Sequence, residues 1–371
     1  MSGEIESMIQ NASPTSALKT ATSGLRIGRR VQRILAVTNM YPKPETPYSG
    51  TFVEQQIKGI GQVGLEVRVM IVDRVQKGMS VYLRTGRDVQ AAIADFQPDI
   101  VHVLYGGVMA DIVTRVVEDR PTVVSFCGDD LLGTHLSGTV RKLISRYGIV
   151  ASHKAARQAT GILVKSKNLQ DALPDDIPRS KVRIIPNGID LDRFSPLDRD
   201  ACRNRLGWRA DRLNVLFPTN SGDPVKRPNL ARAAVEIVNR SGIPAEMHHL
   251  QGVPHDEVPV WLNASDVALL TSLHEGSPNV VKEALACDLP VISVDVGDVY
   301  ERIHEIEGCY VALSNPDDLA AKIRLVHAGP RRVAGRIKMQ DLSLRRVALR
   351  LREFYEELVV SWSANHHLHA L

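Results

Sequence analysis

Apolar residues along this chain come in short runs, and between the runs they recur at helical spacing. Residues 34–38, 67–72, 99–104, 121–126, 161–165 and 182–185 read as buried strands. Residues 51–63 and 108–118 read as amphipathic helices, the first with Phe52, Ile57 and Ile60 on its apolar face. Apolar strands alternating with helices predict a parallel sheet covered on both faces. The pattern restarts at residue 215. Strands are expected at 215–218, 245–250, 267–270, 289–294 and 311–313, with helices at 198–206 and 317–326. A long amphipathic helix closes the chain at 345–359, with Val347, Leu349, Leu351, Phe354 and Leu358 available for packing. Residues 1–30 show no sustained period and are rich in Ser, Thr, Ala and Gly, the pattern of a disordered lead-in.

The richest stretch runs from Leu270 to Val291. A strand ends at Leu270, residues 271–276 are small and polar, and Ser277 and Pro278 suit the cap and first position of a helix. Val280, Val281, Ala284 and Leu285 then recur at helical spacing, and Asp288 closes the helix. A helix start presents free N–H groups and the positive end of a dipole, which suits phosphate. Glu275 precedes that start and Glu283 lies inside the helix. Their carboxylates can accept hydrogen bonds from the hydroxyls of a sugar or a ribose. A capped surface helix with two solvated glutamates is the plain alternative.

Composition narrows the class. A chain of 371 residues with 44% hydrophobic content suggests two globular domains. A net charge of +4 does not call for nucleic acid. Cys127, Cys202, Cys287 and Cys309 are scattered without zinc or redox spacing and read as reduced thiols of a cytoplasmic protein. No apolar run reaches the roughly 18 residues of a membrane span, and the N-terminus lacks a signal-peptide core.

E-G-S-P-N-V-V-K-E followed by A-L-A-C-D-L-P-V-I resembles the two-glutamate motif of retaining glycosyltransferases of the GT-B fold, the family-four type. I-P-N-G-I-D at 185–190 resembles that family's interdomain hinge, and L-N-A-S-D-V-A-L-L-T-S its lead-in to the motif. The resemblance covers roughly Arg33 to Val360. It implies two Rossmann-like domains facing across a cleft, with the last helix crossing back to the first domain. The expected divisions are 1–30 lead-in, 31–188 acceptor domain, 189–340 donor domain and 341–371 returning helix and tail.

The resemblance also implies roles. Glu275 would contact the donor sugar, Glu283 the ribose, and backbone of Gly276, Ser277, Pro278, Asn279 and Val280 the diphosphate. Lys226 would neutralise the diphosphate. Asn220 stands about where relatives carry an arginine, for which Arg227 would substitute. Gly50 and Thr51 would approach the phosphates, and Gly252 and Val253 would hold the base. Relatives carry a histidine where Cys127 stands. Asp129 and Asp130 beside it either contact acceptor hydroxyls or form an Asx turn. His255 reads as a helix-start residue. No cofactor and no metal is expected.

The implied activity is transfer of a sugar from a nucleotide-diphosphate sugar to a hydroxyl acceptor in polysaccharide or glycolipid synthesis. Charge would build on the leaving diphosphate, against Lys226, Arg227 and the helix start. A nucleotide-sugar 2-epimerase and a non-catalytic binding subunit are the alternatives. Arg141, Lys142, Arg146, Lys154, Arg157, Lys165 and Lys167 are interleaved with Leu143, Ile144, Tyr147, Ile149 and Val150. That reads either as an interfacial helix reaching a lipid-linked acceptor on an anionic membrane or as a buried helix with a solvated basic face.

Overall fold

The structure, a computed structural model, describes residues 30–133, 139–218 and 224–367. The expected lead-in lies outside them except for Arg30. Strands β1 (Arg33–Thr38), β2 (Glu66–Ile71), β3 (Ile100–Leu104), β4 (Thr122–Phe126), β5 (Gly161–Val164) and β6 (Val182–Ile184) form one sheet in the order β2-β1-β3-β4-β5-β6. All its pairings are parallel. β3 and β4 are buried along their whole length, as apolar runs must be when both faces of a sheet are covered. Helices α1 (Thr51–Gln62), α2 (Tyr82–Phe96), α3 (Val108–Val116) and α4 (Thr139–Gln158) belong to this half. The sequence reading assigned nothing to residues 73–98. There α2 buries Thr85, Val89, Ile93 and Phe96 at helical spacing.

The second sheet contains β7 (Leu213–Phe217), β8 (Ala245–His249), β9 (Val267–Leu270), β10 (Val291–Val294) and β11 (Tyr310–Ala312). Its order is β11-β10-β9-β7-β8, again parallel throughout. Helices α5 (Arg199–Leu206), α6 (Pro228–Arg240), α7 (Val258–Ala264), α8 (Asn279–Ala286) and α9 (Pro316–Ala328) accompany it. Each sheet reverses its strand order once, between β1 and β3 and between β7 and β9. Ligands of open parallel sheets bind outside the carboxyl ends of the strands at such a reversal. The loops leaving β1, β7 and β9 are therefore where a site belongs.

The two crossings between the sheets lie side by side. Ile189 N donates to Leu342 O at 2.8 Å, and Leu344 N donates to Ile189 O at 3.0 Å. A Cβ on Gly188 would come within 3.0 Å of Leu344 Cα, so the crossings touch backbone to backbone. Helix α10 (Leu344–His367) then returns to the first domain and packs on α1. Val347, Leu351, Phe354 and Leu358 are buried, Leu349 is half-buried, and Tyr355 also turns inward. Tyr355 Oη lies 2.7 Å from His102 Nδ1, and His102 Nε2 lies 2.7 Å from Ser125 Oγ. This fully buried chain ties α10 to β3 and β4. Burial holds the His102 imidazole down to about 3, so the ring is neutral.

Removing one end of that chain leaves a buried ring nitrogen without a partner. Tyr355→Phe should lower unfolding free energy by about 1–3 kcal/mol, read by urea denaturation. An unchanged midpoint would mean that the ring does not depend on the hydroxyl.

Candidate active site

The loop after β9 meets the loop after β7 at the second sheet's reversal. Lys226 Nζ donates to Glu275 Oε1 at 2.6 Å, and Ser272 Oγ donates to the same oxygen at 2.7 Å. The Glu275 side chain is 14% exposed and that of Lys226 29%, so the pair is only partly desolvated. Asn220 lies outside the described residues. Arg227, the expected substitute for the missing arginine, points elsewhere. Its backbone is left-handed (φ 52°) at the start of α6, and its guanidinium donates to the carbonyls of Thr271 and Ser272 and to Ser314 Oγ. With its donors spent on the end of β9, Arg227 fixes the loop that carries Glu275 instead of lining the site.

The helix start also differs from expectation. Pro278 occupies the cap position (φ −65°, ψ 119°), and α8 begins at Asn279. Ser277 does not cap, because its hydroxyl is engaged sideways. It donates to Asp298 Oδ2 at 2.8 Å and accepts from Lys282 Nζ at 3.0 Å. Lys282 is fully buried, and burial lowers it to about 7. This buried lysine beneath the helix start was not anticipated. A lysine ahead of Glu283 in an otherwise apolar helix was its only signal in the sequence.

The first domain closes over this loop. Asn168 Nδ2 donates to the Glu275 carbonyl at 2.9 Å. A Cβ on Gly276 would sit 2.5 Å from the Cys127 carbonyl oxygen and 2.8 Å from Leu169 Cδ1. Asp130 takes neither expected role, since its carboxylate reaches back to main-chain donors that precede it, whereas an Asx turn would take one two residues on. Its buried carboxylate accepts from Gly106 N at 2.9 Å, Gly128 N at 2.8 Å and Cys127 N at 3.0 Å. Asp129 instead stays half-exposed in the cleft, its Oδ1 3.8 Å from His274 Nδ1. Burial, with Asp130 beside it, pushes the Cys127 thiol up to about 12, which rules out a thiolate at neutral pH. Lys165, counted above among surface cations, is buried against Gln56, and burial lowers its pKa.

A cavity of about 470 Å³ opens beside α8, and Thr51, Gly252, Val253, Asn279, Val280 and Glu283 are among its lining residues. Gly50 itself is needed for its own turn. Its φ is 74°, and a Cβ there would lie 2.6 Å from Met40 C and Tyr41 N. His255 also lines the cavity, with Nε2 3.3 Å from Glu283 Oε1, a contact that its reading as a helix-start residue missed. A larger hollow of about 890 Å³ lies between α3, α4 and α10, away from both glutamates. Among the described residues, no group of three or more His, Cys, Asp or Glu is placed to hold a metal ion.

Two doubly wound parallel sheets, joined by paired crossings and facing each other over a lysine and two carboxylates, define a GT-B protein. The family described as "Glycosyl transferases group 1" matches residues 221–328, and "Glycosyltransferase Family 4" matches residues 46–193. The chain thus belongs to the glycosyltransferases of the GT-B fold. TuaC of Bacillus subtilis, named as a teichuronic acid biosynthesis glycosyltransferase, is 24% identical over 330 residues, 72% of this chain and 82% of that one. The D-inositol 3-phosphate glycosyltransferase of Geodermatophilus obscurus is 29% identical over 236 residues, and the match spans 52% of this chain and 51% of the relative. Among solved structures, sucrose-phosphate synthase from Thermosynechococcus elongatus superposes with a TM-score of 0.72 at 16% identity, covering 89% of this chain and all of that one. Anabaena HepE in complex with UDP and glucose gives 0.63 at 17% identity, covering 86% and 98%. These superpositions establish the fold.

The contact at Gly276 leaves no room for a side chain. Gly276→Val should force the first-domain loop away and enlarge the radius of gyration in small-angle scattering. A scattering curve identical to the parent's would mean that the seam can absorb the side chain without opening.

Proposed function

We propose that this glycosyltransferase moves a sugar from a nucleotide-diphosphate sugar to a hydroxyl acceptor with retention of anomeric configuration. The observation that carries the reading is the Lys226–Glu275 pair, set at the second sheet's reversal beside the cavity that holds Glu283. In this reading Glu283 takes the ribose hydroxyls and Gly252 and Val253 bracket the base. Backbone N–H groups from Gly276 to Val280 receive the diphosphate, Pro278 excepted. Lys226 faces the diphosphate, and Glu275 orients the sugar through the oxygen that Lys226 leaves free. The C1–O bond to the diphosphate breaks and its electron pair leaves with the phosphate oxygen. The acceptor oxygen bonds to C1 on the same face and passes its proton to the departing diphosphate. Asp129, at the edge of the cleft, is placed for acceptor hydroxyls. The UDP and glucose bound by HepE support a nucleotide-sugar donor. Membership of the glycosyltransferases favours transfer over 2-epimerisation and over a non-catalytic subunit.

Lys226→Ala removes a charge-assisted contact worth about 1.5–3 kcal/mol. Calorimetric titration should show nucleoside diphosphates binding roughly ten- to a hundredfold more weakly, with nucleosides unchanged. Equal losses for both would remove Lys226 from the diphosphate site. Product anomers, read by NMR from a panel of nucleotide sugars and simple glycosides, test retention. An inverted linkage would overturn it.

The acceptor we propose is a lipid-linked or polymeric glycan, reached at the inner face of an anionic membrane. TuaC's name points the same way. No helix among the described residues is long and apolar enough to cross a membrane. Helix α4 nevertheless exposes Leu143 (60%), Ile144 (56%), Tyr147 (59%) and Val150 (49%). Lys142, Arg146 and Lys154 flank them in the open. Arg157 and Lys167 are paired with Asp176 and Asp171, and the Arg141 side chain lies outside the described ones, so among the described side chains three cations remain beside the apolar stripe. Each contributes about 1 kcal/mol at most near an anionic surface. The protein should float with anionic liposomes at low salt and be released at high salt. Equal recovery with neutral vesicles would assign the exposed stripe to another contact.

A further inference from the structure

We infer that Arg193 and His255 form a relay that sets Glu283 for ribose recognition, which makes His255 a positioning residue of the donor site. The inference rests on the donor-site reading above. Arg193 lies on the turn after the first crossing, where Arg193 N donates to Asp190 Oδ1 at 3.1 Å. Its NH1 lies 2.8 Å from His255 Nδ1. A guanidinium only donates, so Nδ1 is the accepting nitrogen of a neutral ring, and the proton sits on Nε2. Nε2 faces Glu283 Oε1 at 3.3 Å. One carboxylate oxygen is thereby occupied, which leaves the other for a ligand hydroxyl. The ring cannot swing freely, because its edge packs against fully buried Phe194, with centroids 5.4 Å apart at 61°.

Both side chains of the final pair are well covered, 15% exposed for His255 and 10% for Glu283. A carboxylate in such a place, without its donor, would turn toward water or toward another partner. The relay removes that freedom before ligand arrives, which is preorganisation in the energetic sense. The Gln55 amide nitrogen of α1 lies 3.5 Å from the same Nε2, but both are donors and no hydrogen bond joins them. The carboxylate is thus steadied from the second domain and the crossing.

The test compares UDP, ADP and GDP with their 2′,3′-dideoxy counterparts by calorimetric titration of the full chain. The parent should favour the ribose form of the base it accepts by about ten- to a hundredfold, the equivalent of a charged hydrogen bond. Glu283→Ala should abolish the preference. His255→Ala should reduce it to about threefold or less, with dideoxy affinity unchanged. His255→Gln, whose amide can donate to Glu283, should recover much of it. Arg193→Ala, at an exposed position that does not threaten folding, should fall between. If Glu283→Ala loses the preference while His255→Ala and Arg193→Ala keep it, the relay is wrong and the ribose site stands. If the parent shows no preference, or Glu283→Ala keeps it, the donor-site reading fails and takes the relay with it. Loss of dideoxy affinity in His255→Ala and Arg193→Ala alike would mark a collapsed pocket and overturn the positioning role.

Discussion

The two halves of this chain meet backbone to backbone at Gly276, and the site depends on that contact. On one side is the Cys127 carbonyl, 2.5 Å from where a Cβ would be. On the other is Gly297, left-handed at φ 61°, whose own Cβ would come within 2.3 Å of the Gly276 carbonyl oxygen. Two glycines back to back thus let three backbone segments converge where one side chain would separate them. The first two segments are held from outside the contact. Asp130 gathers the Cys127 loop through three backbone donors, Asn168 takes the Glu275 carbonyl, and Arg227 clamps the end of β9. The carboxylate of Glu275 faces the cleft because its backbone has nowhere else to go.

Around the seam the charges are largely buried. Lys165 and Lys282 lie in opposite domains, both almost fully covered, and burial lowers both. A buried cation is costly unless hydrogen bonds and an opposite charge offset the lost hydration. Lys282 meets Ser277 and the Asn187 carbonyl, and Ser277 passes the contact to Asp298, which Arg302 holds at 2.8 Å. Lys165 has Gln56 at 3.2 Å and Asp130 as a nearby counter-charge. Lys282 at about 7 is poised near neutrality. An anion at the start of α8 would favour its charged form, since opposite charges raise the pKa of a base.

Much of this was legible because strands buried on both faces are continuous apolar runs, and such runs mark β3, β4, β5 and β9 plainly. Helices α2 and α6 were not read. Their inward positions include Thr85 in the first and Ala231 and Ala234 in the second. Small or polar residues at a packed interface do not announce an apolar stripe. The resemblance singled out Glu275 and Glu283 in the motif and Lys226 in the loop after β7, but charge type alone could not say which way a cation points. Arg227 fits a diphosphate as well as Lys226 does until the left-handed backbone turns it toward the carbonyls of Thr271 and Ser272. Ser277 shows the same limit. Its residue type suits a cap, yet two partners from elsewhere in the fold, Asp298 and Lys282, claim the hydroxyl. His255 was unreadable for a further reason, since Arg193 and Glu283 lie 62 and 28 residues away in sequence.

On the reading proposed above, the Lys226–Glu275 pair would join the donor site's two tasks in one contact. The ammonium rests on one carboxylate oxygen at 2.6 Å. A pair only partly desolvated contributes modestly to stability, because water still screens it. Its value lies in what it holds ready. Glu275 has one oxygen held by Lys226 and Ser272, so on that reading the other would be oriented without an ordering cost when a sugar hydroxyl arrives. Lys226 has three donors and spends one on Glu275, so a phosphate oxygen can be added without breaking the pair. A cation shared between a sugar-facing carboxylate and a departing diphosphate feels a stronger pull as charge moves onto the phosphate. On that reading the interaction would grow along the reaction coordinate, which is the condition for it to favour the transition state over the bound donor.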